Sequence, residues 1–384
     1  MIESYDFLVV GAGIAGASVA CRLAESSRTL LLEREDQPGY HTTGRSAAMF
    51  HESYAGPVVQ SLTVASRTFY ESPPDGFGDG PLLSPRGALL VAGPQFADRA
   101  AAGLADAQRN GVKIDAVGVE ECLRLVPVLR PEQIAAALYE PGAMDMEVHA
   151  IHQGFLKGLR KHGGVVRTST ELLALSREPD GGWRATTGTG DVRCRIVVNA
   201  AGAWADTVAA LAGARPIGLM PLQRTAFVFR PPSGVTISSW PMVIDLGEAY
   251  YFKPDAGRLL ASPADEKPSY PHDVRPEDID VALGIERIHA ATTLCIDTVD
   301  RRWAGLRSFT RDRLPAVGFA PDVPGFFWLA GQGGFGIQTA PALSRIAAEL
   351  AFGNAFPEDV ARGELTVSAL DPCRLLEGSQ KTKD

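Results

Sequence analysis

The sequence is poor in cysteine and shows no arrangement of what it has: Cys21, Cys122, Cys194, Cys295 and Cys373 are five thiols in 384 residues, with no CxxC pair and no metal-type cluster. A disulfide framework and a thiolate metal centre are therefore not read, and free thiols in a reducing compartment are expected. Excess positive charge is also missing. The 37 Lys and Arg stand against 45 Asp and Glu, for a net charge of -8, so no basic footprint for a phosphate backbone exists and nucleic acid is not an expected partner. No apolar run reaches the roughly 18 residues of a membrane span, so no integral membrane segment is expected. The opening MIESYDFLVVGAG enters an apolar strand at once, without a basic n-region or a small-residue cleavage site; no secretory leader is read there, and a cytoplasmic location is the expectation. A GxSxG elbow, an HExxH pair and a Walker lysine after the first glycine turn are all absent, which sets hydrolase and P-loop chemistry aside. His149 and His152 have no ligand-type neighbours and are read as structural, with no metal expected.

What is present is an ordinary globular composition, 45% apolar and 21% charged, long enough for two folding units. Residues 5–10 (YDFLVV) are a short apolar strand, Gly11 to Gly16 break it, a helix pattern follows to Glu25, and RTLLLERE gives a second strand. Strand, turn, helix and strand within about 30 residues make a βαβ unit and call for a parallel sheet, hence an α/β class. The Pro- and Gly-rich stretch 72–87 reads as a crossing between units. Helices are expected over 97–109, 120–125 and 146–162, strands at VVRTST and CRIVVNAAG, and short, mostly antiparallel strands from Arg224 to Leu260. The strand PGFFWLA, the turn GQGGFG and a helix from Ile337 to Phe352 complete the pattern, and the final SQKTKD is expected to fray.

Gly11, Gly13 and Gly16 form a GxGxxG directly after a strand and at a helix start. Gly11 permits the tight turn, Gly13 lets the backbone approach a pyrophosphate, and Gly16 lets the helix pack on the sheet. Free amides at the helix N-terminus then hold the anion, with Ile14 and Ala15 beside it. Glu33 closes the second strand, 17 residues after Gly16, where a carboxylate accepts from an adenosine ribose and repels a 2′-phosphate; NADP is disfavoured. The turn by itself does not separate FAD from NAD.

The segments GAGIAGAS with LLLERE, HTTGRSAA, VVNAAGAWAD, WAGLRSF and GQGGFGIQT follow one another in this order. In this the chain resembles the D-amino-acid oxidase and sarcosine oxidase family, and within it the D-amino acid dehydrogenases of the D-arginine type, from about Ile2 to about Leu350. The resemblance implies a Rossmann-like FAD-binding domain (1–88, 148–220 and 300–370), a mostly antiparallel-sheet substrate domain (89–147 and 221–299) and a tail (371–384). It implies FAD contacts at Arg34, at Gly44, Arg45, Ser46, Ala47 and Ala48, at Leu172, at Ala200, Gly202 and Trp204, and at Gly331, Gln332, Gly333, Gly334, Gly336, Ile337, Gln338 and Thr339. Arg45 and Ser46 are expected to donate to the pyrophosphate and ring. Some relatives bind FAD covalently through a cysteine soon after the conserved arginine; Ser308, Phe309 and Thr310 follow Arg307 here, so FAD is expected to be non-covalent.

The same resemblance makes Arg307 the carboxylate-binding arginine, with Tyr251 as a hydroxyl donor and Arg224 and Tyr54 on the pocket wall. A planar, bidentate guanidinium suits the task of fixing a carboxylate so that Cα faces flavin N5. Gly334 is expected to border the pocket. D-arginine-type relatives carry a His after GRSAA and a Glu two residues after the Pro-Arg pair, and this chain has Met49 and Ala88 there. A cationic side chain loses its partner, so a neutral or apolar D-amino acid is the expected substrate, unless His51 or Glu52 turns inward. The expected reaction is oxidative deamination to an imino acid, then a keto acid and ammonia. Two rivals stay open: an oxidase or demethylase of glycine or N-methyl amino acids such as sarcosine, and a non-catalytic dinucleotide-binding protein. The electron acceptor, whether quinone, carrier or oxygen, is left open.

Overall fold

The computed structural model describes residues 2–376. Of the expected tail, residues 377–384 lie outside the described residues.

The first strand, Glu3–Val10, ends in Phe7, Leu8, Val9 and Val10, all buried, the run expected of a strand covered on both faces. It pairs in parallel with Thr29–Leu32 on one side and with Gly190–Asn199 on the other. Val165–Arg167 continues the parallel set beyond Thr29–Leu32, and Phe326–Ala330 joins it on Gly190–Asn199. All five strands therefore end at one edge, and both glycine-rich turns leave from that edge, after Val10 and after Ala330. Ligands of parallel α/β sheets bind at this edge. One face of the sheet (Phe7, Val9, Leu31, Phe327, Leu329) packs under helices Ile14–Ala24, Val148–Lys161 and Gly336–Ala351. The other (Leu8, Val10, Leu30, Leu32, Trp328) is covered by helix Ala205–Leu211 and an antiparallel meander, Leu172–Arg177 with Trp183–Thr187. Each fully buried large apolar side chain there contributes about 1.5–3 kcal/mol.

A nine-stranded sheet forms the second layer system, mostly antiparallel, with Ala88–Ala92 and Met242–Asp245 as its parallel pair. The strand Arg301–Phe309, grouped on sequence with the cofactor unit, pairs along its whole length with Met220–Phe229 and so belongs to this sheet. One face of the sheet buries Leu89, Phe227, Phe252 and Ala261 against the helix Asp278–Ala291. A small third sheet joins Met49–Phe50, Met144–Met146 and Leu83–Pro85.

Two helices, Pro57–Glu71 and Asp278–Ala291, stand where the sequence reading placed none. The first buries Gln60, Ser61, Thr63 and Ser66, which breaks the apolar stripe that a periodicity argument needs. The second buries Asp280 while Ile279 is 67% exposed, which inverts the same signal.

Candidate active site

A cavity lined by both glycine turns reaches from the first turn to residues of the second sheet. At its first end Gly11 sits at φ +96, and a Cβ there would lie 2.7 Å from the Ala200 carbonyl oxygen. A Cβ on Gly16 would collide with the Gly11 carbonyl, so Gly16 packs the helix on the turn and does not line the cavity. The helix Ile14–Ala24 begins at Gly13 with no side-chain cap and no acidic residue in its first turn, and the Ile14 amide donates to Thr43 Oγ1 at 3.0 Å. Glu33 faces the cavity and ties the turn, its Oε2 accepting from the Ala12 amide at 2.8 Å. His152 Nε2 donates to the Ala12 carbonyl at 2.9 Å, and burial holds its pKa below the ordinary value, so the neutral ring serves as a structural brace. Beyond Glu33, Leu172 and Trp204 line the cavity, and the Arg34 guanidinium lies 4.1 Å from the centre of the Trp204 ring. Ala200 and Gly202 flank this stretch.

The second turn supplies another helix start. Helix Gly336–Ala351 has no side-chain cap and no acidic residue in its first turn, and Gln332, Gly333, Gly334, Gly336 and Ile337 line the cavity before it. Gly331, at φ +80 with its Cβ position 2.8 Å from Thr310 Cγ2, shapes the turn from outside the cavity. Gln338 and Thr339 also lie outside it. Gln338 donates to Thr63 Oγ1 and accepts from the His51 amide, and Thr339 Oγ1 donates to the Phe335 carbonyl within its own helix.

Of the GRSAA loop, Arg45, Ser46 and Ala47 line the cavity, whereas Gly44 and Ala48 do not. The expected donor role of Arg45 needs correcting. Three of its five N–H groups donate to Asp273 Oδ1 (2.5 Å) and to the Val274 and Ala304 carbonyls (both 3.1 Å), so its guanidinium chiefly fastens the 273–274 segment. Ser46 Oγ accepts from the Ala48 amide at 3.2 Å, which leaves its hydroxyl hydrogen free to donate.

At the far end the sheet register assembles the substrate candidates. Arg307 stands opposite Leu222, two positions from Gly305 opposite Arg224, and with side chains alternating at period two these share a face. Following the ladder, Val228, Leu260 and Lys253 are cross-strand neighbours, as are Tyr251 and Ile244, so Tyr251 shares that face too. Arg224 is occupied: Nε donates to the Asp265 carbonyl at 2.7 Å and Nη2 pairs with Glu266 at 3.1 Å. Burial, and then the neighbouring Arg307, pull its pKa below the ordinary value. Arg307 lines the cavity and has no hydrogen-bond or ion-pair partner among the described residues. The hydroxyls of Tyr251 and Tyr54 have none there either. A Cβ on Gly334 would lie 3.0 Å from both Arg307 Nη1 and Tyr54 Oη, so a guanidinium and a phenol converge on one glycine.

Met49 and Ala88 do not line the cavity. Ala88 is fully buried, opposite Met242 on one side and Glu140 on the other, and Met49 packs between that cluster and Tyr251. His51 does turn inward, to Glu140 at 3.1 Å, while Glu52 pairs with Arg67; Glu140 and the Lys253–Asp145–Arg86 network (both pairs at 2.7 Å) were missed on sequence. A charged residue inside each of the apolar strands AALYE and YYFKPD was the only signal they gave.

Two helix starts whose N-cap residues supply no side-chain acceptor, a ribose-type carboxylate and a turn with no room for side chains fit a dinucleotide. The Gln332 side-chain nitrogen, buried without a partner among the described residues, adds a donor at the second turn. This is the site of a dinucleotide-dependent oxidoreductase. A family profile described as FAD dependent oxidoreductase (DAO) matches residues 6–350, and the chain belongs to that family; its cofactor is FAD. Among curated proteins it is similar to FAD-dependent oxidoreductase domain-containing protein 1 of Bos taurus (27% identical, 91% of this chain and 81% of that one) and to glycine oxidase of Geobacillus kaustophilus (24%, 95% and 98%). It also matches mitochondrial dimethylglycine dehydrogenase of Rattus norvegicus (25%), covering 30% of that protein's length. The fold is that of the G. kaustophilus glycine oxidase structure (TM-score 0.81, 22% identical, 95% and 99% covered) and of L-proline dehydrogenase from P. horikoshii (TM-score 0.83, 22%, 98% and 99%). Among the described residues no helix is long and apolar enough to cross a membrane.

Proposed function

We propose that this protein oxidises neutral or apolar D-amino acids to imino acids, which hydrolyse to keto acids and ammonia. The observation that carries the reading is Arg307, a guanidinium without a hydrogen-bond or ion-pair partner among the described residues, standing beside two tyrosine hydroxyls at a cavity that fits FAD. A charge out of water is tolerated where a counter-ion completes it, and an α-carboxylate supplies that ion in bidentate form. When bound, FAD supplies a hydride acceptor at N5; Arg307, Tyr251 and Tyr54 would hold the carboxylate so that Cα is the atom presented. Gln332 to Gly334 and the uncapped start of Gly336–Ala351 would favour negative charge on the reduced ring.

A neutral side chain is supported by the carboxylates around the site, each of which already has partners: Glu266 is shared by Arg224 and Arg313, Asp145 by Lys253 and Arg86, and Glu140 is held by its own loop. The D configuration is supported by the resemblance to D-amino acid dehydrogenases. Among the described residues no imidazole or carboxylate lines the cavity beside Arg307, which supports loss of the substrate ammonium proton to water before the Cα–H electron pair leaves. A second reading, oxidation of glycine or an N-methyl amino acid, uses the same clamp and is favoured by the relatives named for those substrates. Product analysis separates the two: keto acid plus ammonia from D-alanine, D-leucine or D-methionine supports the first reading, and formaldehyde from sarcosine or glyoxylate from glycine as the dominant product supports the second.

A further inference from the structure

Glu140 ends the strand Ala136–Glu140 and is 0% exposed. It lies opposite Ala88, on the same sheet face as Ile244 and Tyr251. A carboxylate in such a place must be matched by donors, and those of Glu140 come from one loop: the Glu52 amide (2.8 Å), the Ser53 amide (3.2 Å) and the Ser53 hydroxyl (2.7 Å), with His51 Nε2 at 3.1 Å from the carboxylate and 2.9 Å from Ser53 Oγ. Gln338 accepts from the His51 amide at 3.2 Å, and Gln60 Nε2 donates to the Ala55 carbonyl at 3.0 Å. Ala55 itself sits at φ +63, a conformation that a non-glycine residue keeps where its surroundings hold it. Between these anchors stands Tyr54, its ring against His51 and its hydroxyl beside Arg307 at Gly334.

We propose that Glu140 is a positioning residue for the carboxylate clamp: it docks the His51–Ser53 loop so that the Tyr54 hydroxyl stands beside Arg307, and substrate affinity depends on it although Glu140 touches no substrate. This rests on the reading of Arg307 and Tyr54 as carboxylate ligands. The same three hydrogen bonds and the His51 contact match the charge of Glu140, so the carboxylate opposite Ala88 offers little to a cationic substrate side chain.

The test uses the flavin-loaded enzyme, benzoate as a carboxylate probe followed by the flavin spectrum, and anaerobic flavin bleaching by the best amino acid substrate. E140Q is expected to weaken benzoate and substrate binding about tenfold, the scale of one charge-assisted hydrogen bond, with the limiting bleaching rate within about twofold of wild type. Y54F is expected to weaken both similarly, and E140Q in the Y54F background to add nothing, since the effect passes through Tyr54. S53A, which removes the 2.7 Å contact to Glu140 and the 2.9 Å contact to His51 Nε2 but keeps both backbone donors, is expected to lie between wild type and E140Q and serves if E140Q does not fold. Additive effects of E140Q and Y54F, a lower limiting rate at unchanged affinity, or wild-type affinity in S53A and E140Q would overturn the inference. R307M separates it from its premise: if R307M loses benzoate while E140Q does not, only the role of Glu140 falls; if R307M binds benzoate normally, both fall.

Discussion

Replacing Arg307 by methionine should remove substrate affinity without removing stability. Truncating one partner of a buried, hydrogen-bonded charge pair costs about 3–5 kcal/mol of binding, which at about 1.4 kcal/mol per decade is roughly two to three and a half orders of magnitude in Kd. Arg224 is no substitute, because its Nε and Nη2 are held by the Asp265 carbonyl and Glu266. Lysine keeps the charge and loses the fork, so R307K should lose about 1.5–3 kcal/mol, or roughly ten- to a hundredfold. In the free enzyme Arg307 has no partner among the described residues, and its charge depresses the pKa of Arg224. Burial disfavours the Arg307 charge, but Tyr251, Tyr54, Glu266 and Asp265 outweigh it and hold its pKa above the ordinary value; since truncation to methionine breaks no hydrogen bond or ion pair among the described residues, the thermal midpoint of R307M should stay close to that of wild type. Anaerobic rapid mixing with substrate gives Kd and limiting rate from the bleaching of the flavin, and a melting curve gives the midpoint. An R307M enzyme that holds flavin and is bleached with wild-type Kd would refute the assignment; one that loses flavin and melts early would refute the stability argument.

Gly11→Ala forces a Cβ to 2.7 Å from the Ala200 oxygen at φ +96, so the purified variant should carry little FAD, read from the ratio of flavin to protein absorbance. A full complement of flavin would contradict the cradle. Gly334→Ala places a methyl 3.0 Å from Arg307 Nη1 and Tyr54 Oη; flavin content should stay near wild type while KM rises at least about tenfold, and an unchanged KM would place the substrate elsewhere. Acid should act in two steps. His152 has a folded pKa below its ordinary 6.5 because burial disfavours the charge, so its contribution is intact above 6.5 and declines as pH falls and the unfolded chain takes up the proton. In Glu140 burial pushes the pKa up, but His51, Ser53 and the Glu52 amide outweigh it and hold it below 4.5, so a second loss begins below that pH. Melting midpoints of H152Q should fall less than wild type between pH 7.5 and 5.5; parallel slopes would dismiss the role of His152.

How much of this was written in the sequence depends on what each residue's neighbours constrain. The first glycine turn was legible because backbone sterics at Gly11 and Gly16 force residue type at fixed spacing after a strand. The long arms were not: Arg45 sits in a loop that lines the cavity, yet the direction of its guanidinium was decided by Asp273 and the Val274 carbonyl, more than 220 positions away in the chain. Gln338 and Thr339 follow the second turn in sequence but lie one step further round the helix, facing Thr63 and their own backbone. Met49 and Ala88 lie off the cavity lining, because the 88–92 strand buries Ala88 between Met242 and Glu140. Glu140 gave no more than a charge at the end of an apolar run, since only the cross-strand register with Ala88 shows where that carboxylate stands.

The central claim is tested most directly by anaerobic bleaching of the flavin with paired D and L enantiomers of alanine, leucine and methionine, alongside glycine and sarcosine. Full, saturable bleaching by the D enantiomers, with the L enantiomers and sarcosine slower by at least about two orders of magnitude, is the predicted result. Bleaching by sarcosine or glycine in preference to every D-amino acid, or by both enantiomers alike, would contradict it.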